Sequence, residues 1–272
     1  MELRFSPLFS GSSGNATYVG CDRAHLLLDA GLSGSRVDQA LRSIGISPEQ
    51  LDAALVTHEH TDHIRGIGVL ARKYNFPVYA TEGTWQAMGN KIGNIPSKNI
   101  RVLEPESSFF IGPIEIVAFP IPHDARSPVG FSFSLGAARF AVATDLGCVR
   151  ESWLKHVEGA DAVLLESNYD PEMLEVGPYP YDLKRRILSR KGHLSNEDAG
   201  KTAVRLIEKG TRQIILGHLS KENNFPELAL CCAKAALQEA GIQIGMDADL
   251  RVAQRDSVTG IFSLSAQLFH GA

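Results

Sequence analysis

Residues 55–66 read LVTHEHTDHIRG, and no other stretch constrains the chain as strongly. His58, His60, Asp62 and His63 fall within six positions, directly after an apolar strand-like run and at the start of a segment with helical periodicity. In extended backbone, residues two apart point the same way, so His58 and His60 can reach one ion together. Asp62 and His63 open the following helix and can face a second ion. Imidazole and carboxylate ligands suit Zn²⁺, Mn²⁺ or Fe²⁺. A histidine-rich surface loop is the plain alternative, but it does not require four ligand-type side chains at this spacing between a strand and a helix.

The rest of the pattern describes what must surround that point. Apolar alternation and β-branched runs predict strands at 3–9, 16–19, 24–29, 53–57, 77–80, 100–103, 114–119, 130–135, 139–144, 162–166, 213–216, 250–254 and 260–264. Helical periodicity covers 34–44, 62–74, 84–88, 151–157, 196–208 and 226–240, with Ser195 as the N-cap of the fifth. Strands come in runs with helices between the runs. This order fits an α/β protein with two mixed sheets stacked together and covered by helices. No Gly/Ser/Pro linker divides the chain, so residues 1–272 are expected to form one domain. The loosest stretch is 169–192, rich in Pro and Tyr, which reads as an insertion or lid.

Bulk properties narrow the setting. A chain of 272 residues with 44% apolar and 21% charged residues can bury a substantial core. Apolar runs such as AHLLLDA are too short to span a bilayer, and the N-terminus shows no signal-peptide pattern. A cytoplasmic protein with no membrane contact is expected. Cys21, Cys148, Cys231 and Cys232 have no CxxC spacing and read as buried free thiols. The net charge of −4 gives no global attraction for nucleic acid. A local patch exists in LKRRILSRKG, with Lys184, Arg185, Arg186, Arg190 and Lys191, although a solvated helix face would look the same. The tetrapeptide GHLS occurs twice, at 192–195 and 217–220.

The HxHxDH run after a strand resembles the metallo-β-lactamase fold superfamily. Further markers follow in order, each just after an apolar run: Asp29 in LLLDAGLS, His123 in FPIPHDA, Asp145 in FAVATDLG and His218 in IILGHLS. The resemblance spans nearly the whole chain and implies a four-layer αββα sandwich. It also implies two divalent ions. His58, His60 and His123 would bind one, Asp62, His63 and His218 the other, and Asp145 would bridge them. Asp29 would hold the HxHxDH loop by hydrogen bonds without touching metal. Two such ions about 3.5–4 Å apart share a water and lower its pKa to near neutrality, and the resulting hydroxide attacks an electrophilic carbon or phosphorus.

Three stretches narrow the resemblance to the YycJ/WalJ (VicX) family: SPLFSGSSGNATYV, LLESNYDPEML and KGHLSNEDAG. That family is similar to the short phosphodiesterase branch containing tRNase Z and PhnP, and is associated with 5′-to-3′ exonuclease activity on DNA. The resemblance to that branch implies that Glu166 orients and charges His193, which protonates the leaving oxygen as general acid. Of the loop 10–15, Ser12, Ser13 and Asn15 are candidates for cradling a phosphate, though a flexible turn is an equal reading. Asn168, Arg185 and Arg186 are further candidate substrate contacts. The leading expectation is a dinuclear-metal 5′ DNA exonuclease with nucleic acid as its partner. A small-molecule metallo-hydrolase of a cyclic phosphodiester, ester or thioester remains open, as does a non-catalytic metal-binding regulatory protein.

Overall fold

The computed structural model describes residues 1–265. The expected domain extends to residue 272, so its last seven positions lie outside the described residues. Sheet one is built from β1 (Glu2–Phe9), β2 (Ala16–Cys21), β3 (Ala24–Leu28), β4 (Ala53–Leu55), β5 (Val78–Thr81) and β6 (Ile100–Leu103), with β14 (Phe262–Ser265) on its edge. Sheet two holds β7 (Ser108–Ile111), β8 (Ile114–Pro120), β9 (Val129–Leu135), β10 (Ala138–Ala143), β11 (Ala162–Glu166), β12 (Gln213–Gly217) and β13 (Asp249–Val252). The spatial orders are β14-β1-β2-β3-β4-β5-β6 and β13-β12-β11-β10-β9-β8-β7. Each sheet is antiparallel in one part and parallel in the other, where β3 to β6 and β10 to β13 run.

Successive side chains of a strand point to opposite faces, and here both faces are covered. In β3, Leu26 and Leu28 face the interior between the sheets while Leu27 faces the outer helices. In β10, Phe140 and Val142 enter the inter-sheet core while Ala141 and Ala143 face the opposite way. This explains why the strands read as continuous apolar runs. Phe5 and Phe140 stack across the inter-sheet core with ring centroids 3.9 Å apart. Helices α1 (Gly34–Ser43) and α3 (Ile67–Tyr74) cover sheet one. Helices α5 (Glu151–Val157), α8 (Asn196–Glu208) and α9 (Pro226–Glu239) cover sheet two. The result is the αββα layering expected from the sequence.

Several expectations need correction. The single helix expected over 62–74 is two, α2 (Thr61–Ile64) and α3. Between them Gly66 N–H donates to Ala30 O at 2.7 Å, and a Cβ there would stand 2.5 Å from Leu32 O. Tertiary contact with the strand β3 loop therefore overrides helical periodicity. Strand β7 is absent from the expected set: it is a four-residue edge strand with alternate residues exposed, too short and too wet for its pattern to stand out. The stretch 169–192, expected as an insertion or lid loop, holds two short helices. It contains α6 (Pro171–Val176), capped by Asp170, and α7 (Tyr181–Ile187), with a small core of Tyr169, Leu174 and Ile187. The cysteines are free, but only Cys21 is buried; Cys231 is exposed and Cys148 and Cys232 are intermediate. Helix α4 (Glu82–Met88) completes the set. Among the described residues no helix is long and apolar enough to cross a membrane.

Candidate metal centre

The carboxyl ends of β3, β4, β8, β10, β11 and β12 open on one edge of the sandwich. They deliver Asp29, the His58–His63 loop, His123, Asp145, Glu166 and His218 to one place. Open α/β sheets present ligand sites at this end because the chain must leave the sheet there in irregular backbone. Among the described residues, five that are not glycine have positive φ, and three of them are Asp29 (57°), Asp145 (61°) and His218 (56°). A left-handed backbone costs a β-carbon-bearing residue on the order of 1–3 kcal/mol. Here it turns each side chain back toward the same point immediately after its strand.

Ligand-type atoms within 4.8 Å of one another group as His58–His60–His123, as Asp62–His63–His218 and as His58–His63–Asp145. The Asp145 carboxylate lies between the first two groups. Its Oδ1 is 3.6 Å from His123 Nε2 and 3.5 Å from His218 Nε2, and its Oδ2 is 3.4 Å from His63 Nε2. His58 Nε2, Asp145 Oδ2 and His218 Nε2 are buried with no hydrogen-bond partner. Buried polar atoms are rarely left so, because each costs a desolvation penalty of about 1–3 kcal/mol. Three such atoms converging in one cluster fit divalent cations, which would satisfy all of them.

The opposite ring nitrogens are fixed by neighbours. Asp29 accepts from Thr57 N–H (2.9 Å), Thr57 Oγ1 (2.8 Å) and His63 Nδ1 (2.8 Å). Thr57 Oγ1 lies 3.0 Å from His58 Nδ1. His123 Nδ1 faces Gly192 O at 3.1 Å, and His218 Nδ1 faces Glu166 Oε1 at 2.8 Å. Each contact leaves Nε2 of His58, His63, His123 and His218 pointing inward. His60 presents Nδ1, 3.3 Å from His123 Nε2.

The charges in the cluster are strongly coupled. Burial pushes Asp145 upward, but His218, His63, His58 and His123 outweigh it and hold the carboxyl well below its usual range. Burial likewise opposes ionisation of Asp62, yet His63 and His218 bring it to about 2. Burial lowers His63, but Asp145, Asp29 and Asp62 raise it to about 9. His58 goes the other way: burial, with His63 nearby, drives it well below the ordinary histidine value. Negative carboxylates thus already offset positive charge at this point, as a cation site requires.

Glu166 joins the two GHLS loops. It is fully buried, and Oε1 accepts from both His193 Nδ1 and His218 Nδ1 at 2.8 Å. Its Oε2 accepts from the backbone N–H groups of Leu146 (2.6 Å) and Leu194 (3.1 Å). Burial raises this acid, but His193 and the other donors outweigh burial and keep it ionised. A carboxylate saturated by N–H donors has no lone pair to spare for a metal, although Glu166 lies close enough to Asp145, His193 and His218 to be counted with them. The His193 ring is 5.1 Å from that of His123 and 5.3 Å from that of His218, with its side chain 14% exposed at the mouth of the site.

The candidate substrate contacts divide. Ser12 and Ser13 are exposed on their loop. Asn15 is buried, and its Nδ2 stands 3.1 Å from His63 Nε2, inside the cluster. Asn168 is also buried, donating to His218 O at 2.7 Å, so it supports the loop instead of facing solvent. Arg186 reaches the rim, where Nη2 donates to Asp124 Oδ1 at 3.0 Å, beside His123. Arg185 lies instead over the ring of Tyr181. Sequence reasoning missed Thr57, Ser10, whose Oγ accepts from His218 N–H at 2.9 Å, and Asp124. Thr57 and Asp124 directly adjoin candidate ligands, a proximity that could have flagged them.

A family model described as beta-lactamase superfamily domain matches residues 24–219. The protein is 44% identical over 245 residues to the exodeoxyribonuclease YycJ of Bacillus anthracis, covering 90% of this chain and 93% of that one. The chain belongs to the YycJ/WalJ family of the beta-lactamase superfamily. Another YycJ/WalJ relative, the exodeoxyribonuclease WalJ of Streptococcus pneumoniae serotype 2, is 43% identical over 259 residues, covering 94% of this chain and 96% of that one. The crystal structure of the metallo-beta-lactamase fold protein YhfI from Bacillus subtilis superposes with a TM-score of 0.72 at 16% identity, over 97% of this chain and 100% of that one, and so shares the fold. The expected YycJ/WalJ resemblance and the αββα fold are both borne out.

Proposed function

We propose that this protein is a cytoplasmic, metal-dependent phosphodiesterase that degrades DNA from a 5′ end. The observation that carries the reading is the Glu166–His193 pair beside two ligand groups sharing Asp145. The names of the two YycJ/WalJ relatives support DNA as the substrate, and the polarity rests on the family resemblance. His58, His60 and His123 would hold one divalent ion and Asp62, His63 and His218 another, with Asp145 between them. Such ions supply Lewis acidity and a water that is acidic at neutral pH.

The chain's own residues do the remaining work. Asp29 and Thr57 lock the ligand loop so that the imidazoles need not reorganise on binding. A water that has given up one proton to solvent forms the new bond to phosphorus through its oxygen, and the ester P–O bond to the leaving group breaks. The departing alkoxide is a poor leaving group and needs a proton. His193 Nδ1 is taken by Glu166, so Nε2 is the nitrogen that can donate it. The buried Glu166 carboxylate holds the ring by Nδ1 and keeps it aimed.

The test is a nuclease assay on protein loaded with Zn²⁺, Mn²⁺ or Fe²⁺, using 5′- and 3′-labelled duplexes, bis(p-nitrophenyl) phosphate and a thioester. Progressive release from the 5′ end, slowed by His193→Ala with metal retained, is expected. Turnover of the thioester alone would remove the phosphodiesterase reading.

A further inference from the structure

Helices α6 and α7 enclose a groove of about 540 Å³ that the chemistry above does not use. Tyr181, Lys184, Arg185 and Leu188 stand at i, i+3, i+4 and i+7, so they form one stripe along α7. Leu174 and Glu175 of α6 and Tyr179 of the connection form the opposite wall. Lys184 Nζ ties the walls by donating to Glu175 O at 2.7 Å. The small core of Tyr169, Leu174 and Ile187 packs the two helices against each other beneath the groove.

The surface of this groove is unusual for a solvated one. Tyr181 is 74% exposed and Leu188 59%. The guanidinium of Arg185 sits 5.7 Å from the Tyr181 ring centroid, giving a flat, cationic and aromatic platform. Basic side chains continue along the helix and the following turn in Arg186, Arg190 and Lys191, against Asp170, Glu172 and Glu175 of the α6 segment and Asp182 of α7. Rings on which bases stack, set in a positive track that follows the phosphates, are how single strands are held without regard to sequence. The volume is that of a pocket for a drug-sized molecule, which admits one or two unpaired nucleotides and not a duplex.

The groove and the metal centre lie against different faces of the same helix, α7. Arg186 lies about 100° around α7 from Arg185, and its guanidinium bonds Asp124, whose Oδ1 is 3.4 Å from His123 Nε2. Half-exposed ion pairs stabilise a fold by at most about 1 kcal/mol, so this one matters for where it places the arginine. The turn after α7 is tied by backbone to the same site. Gly192 O meets His123 Nδ1, and a Cβ at Gly147 would come within 2.4 Å of the Arg190–Lys191 peptide.

We propose that the α6–α7 groove binds a single-stranded segment of the nucleic acid whose phosphodiester is at the metal centre, with Tyr181 and Arg185 stacking its bases. This rests on the phosphodiesterase reading and adds the path of the strand away from the site.

Fluorescence anisotropy of labelled single-stranded oligonucleotides of 2 to 20 nucleotides, on wild type, Tyr181→Ala, Tyr181→Phe and Arg185→Gln, tests it. Affinity should rise with length in wild type. Tyr181→Ala should lose on the order of tenfold on the long strands and nothing on the dinucleotide, and Tyr181→Phe should retain the affinity. Arg185→Gln should lower the salt slope by about one. Turnover of bis(p-nitrophenyl) phosphate should be the same in Tyr181→Ala as in wild type, which shows the variant folded. Equal affinity of wild type and Tyr181→Ala for every length overturns the groove while leaving the phosphodiesterase intact. A wild-type dimer that Tyr181→Ala dissociates, with DNA affinity unchanged, overturns it in favour of a second copy as occupant. If wild type turns over neither DNA nor bis(p-nitrophenyl) phosphate with any of the three metals, the underlying reading fails and the groove proposal falls with it.

Discussion

The two GHLS loops have identical sequence and opposite surroundings. The second follows β12, and its His218 takes a left-handed backbone that buries the ring completely, with Nε2 directed at Asp145 and Asp62. The first follows α7 and leads into α8 through the Ser195 cap, and its His193 remains at the mouth of the site. Both rings place Nδ1 on the same oxygen of Glu166. A shared tetrapeptide thus produces one histidine whose free nitrogen faces the ligand cluster and one whose ring stays partly exposed at the mouth of the site. What separates them is the element each loop follows: a parallel strand aims its carboxyl end into the site, and a helical turn lays its residue across the opening.

The largest effect expected from breaking this contrast is in His218→Ala and Asp145→Ala. Each should lose bound metal and reduce turnover by at least ~10³-fold, since several kcal/mol of charge stabilisation disappears. Elemental analysis of the purified variants reads the metal directly. His193→Ala should keep the metal and slow DNA cleavage by ~10²–10⁴-fold. The loss should be much smaller with bis(p-nitrophenyl) phosphate, whose phenolate leaves without a proton, and an equal loss on both substrates would contradict the acid role.

A smaller effect sharpens the same contrast from behind the site. Asp29→Asn should weaken metal affinity by ~10–100-fold through loss of charge at His63 and the Thr57 contacts, measured by competition with a chelating dye. The smallest effect belongs to a control outside both loops. Asp38 of α1 is raised by its burial, but bonds from Tyr74, Lys73 and Arg42 outweigh this and bring it to about 2, below an unfolded value of about 3.9. A depressed carboxylate stabilises the fold fully above its unfolded pKa and loses that contribution as pH falls toward 2. Denaturant midpoints for Asp38→Asn should fall below wild type at pH 6 and converge with it near pH 2, while the metal content of the variant at pH 6 equals that of wild type.

Much of this was legible in the sequence because strand ends and ligands coincide. The runs before Asp29, His58, Asp145, Glu166 and His218 are apolar on both faces, so each of these site residues marks its own strand end. Residues that act through tertiary contact gave no comparable signal. Arg185 and Arg186 are neighbours in the same basic run, yet the turn of α7 sends one to Tyr181 and the other to Asp124. Asn168 is a candidate substrate contact in the sequence, and nothing there shows that its Nδ2 donates to the His218 carbonyl. Gly66 breaks a helix only because the Ala30–Leu32 backbone passes beside it. Helices α6 and α7, of six and seven residues, are too short for periodicity to reveal them.

The central claim is that one GHLS histidine holds metal and the other moves a proton. Metal stoichiometry of His193→Ala and His218→Ala, measured side by side on protein loaded with the same cation, tests it most directly. The account predicts two equivalents in His193→Ala, as in wild type, and the loss of at least one in His218→Ala. Loss of metal from His193→Ala, or two equivalents retained in His218→Ala, would contradict it.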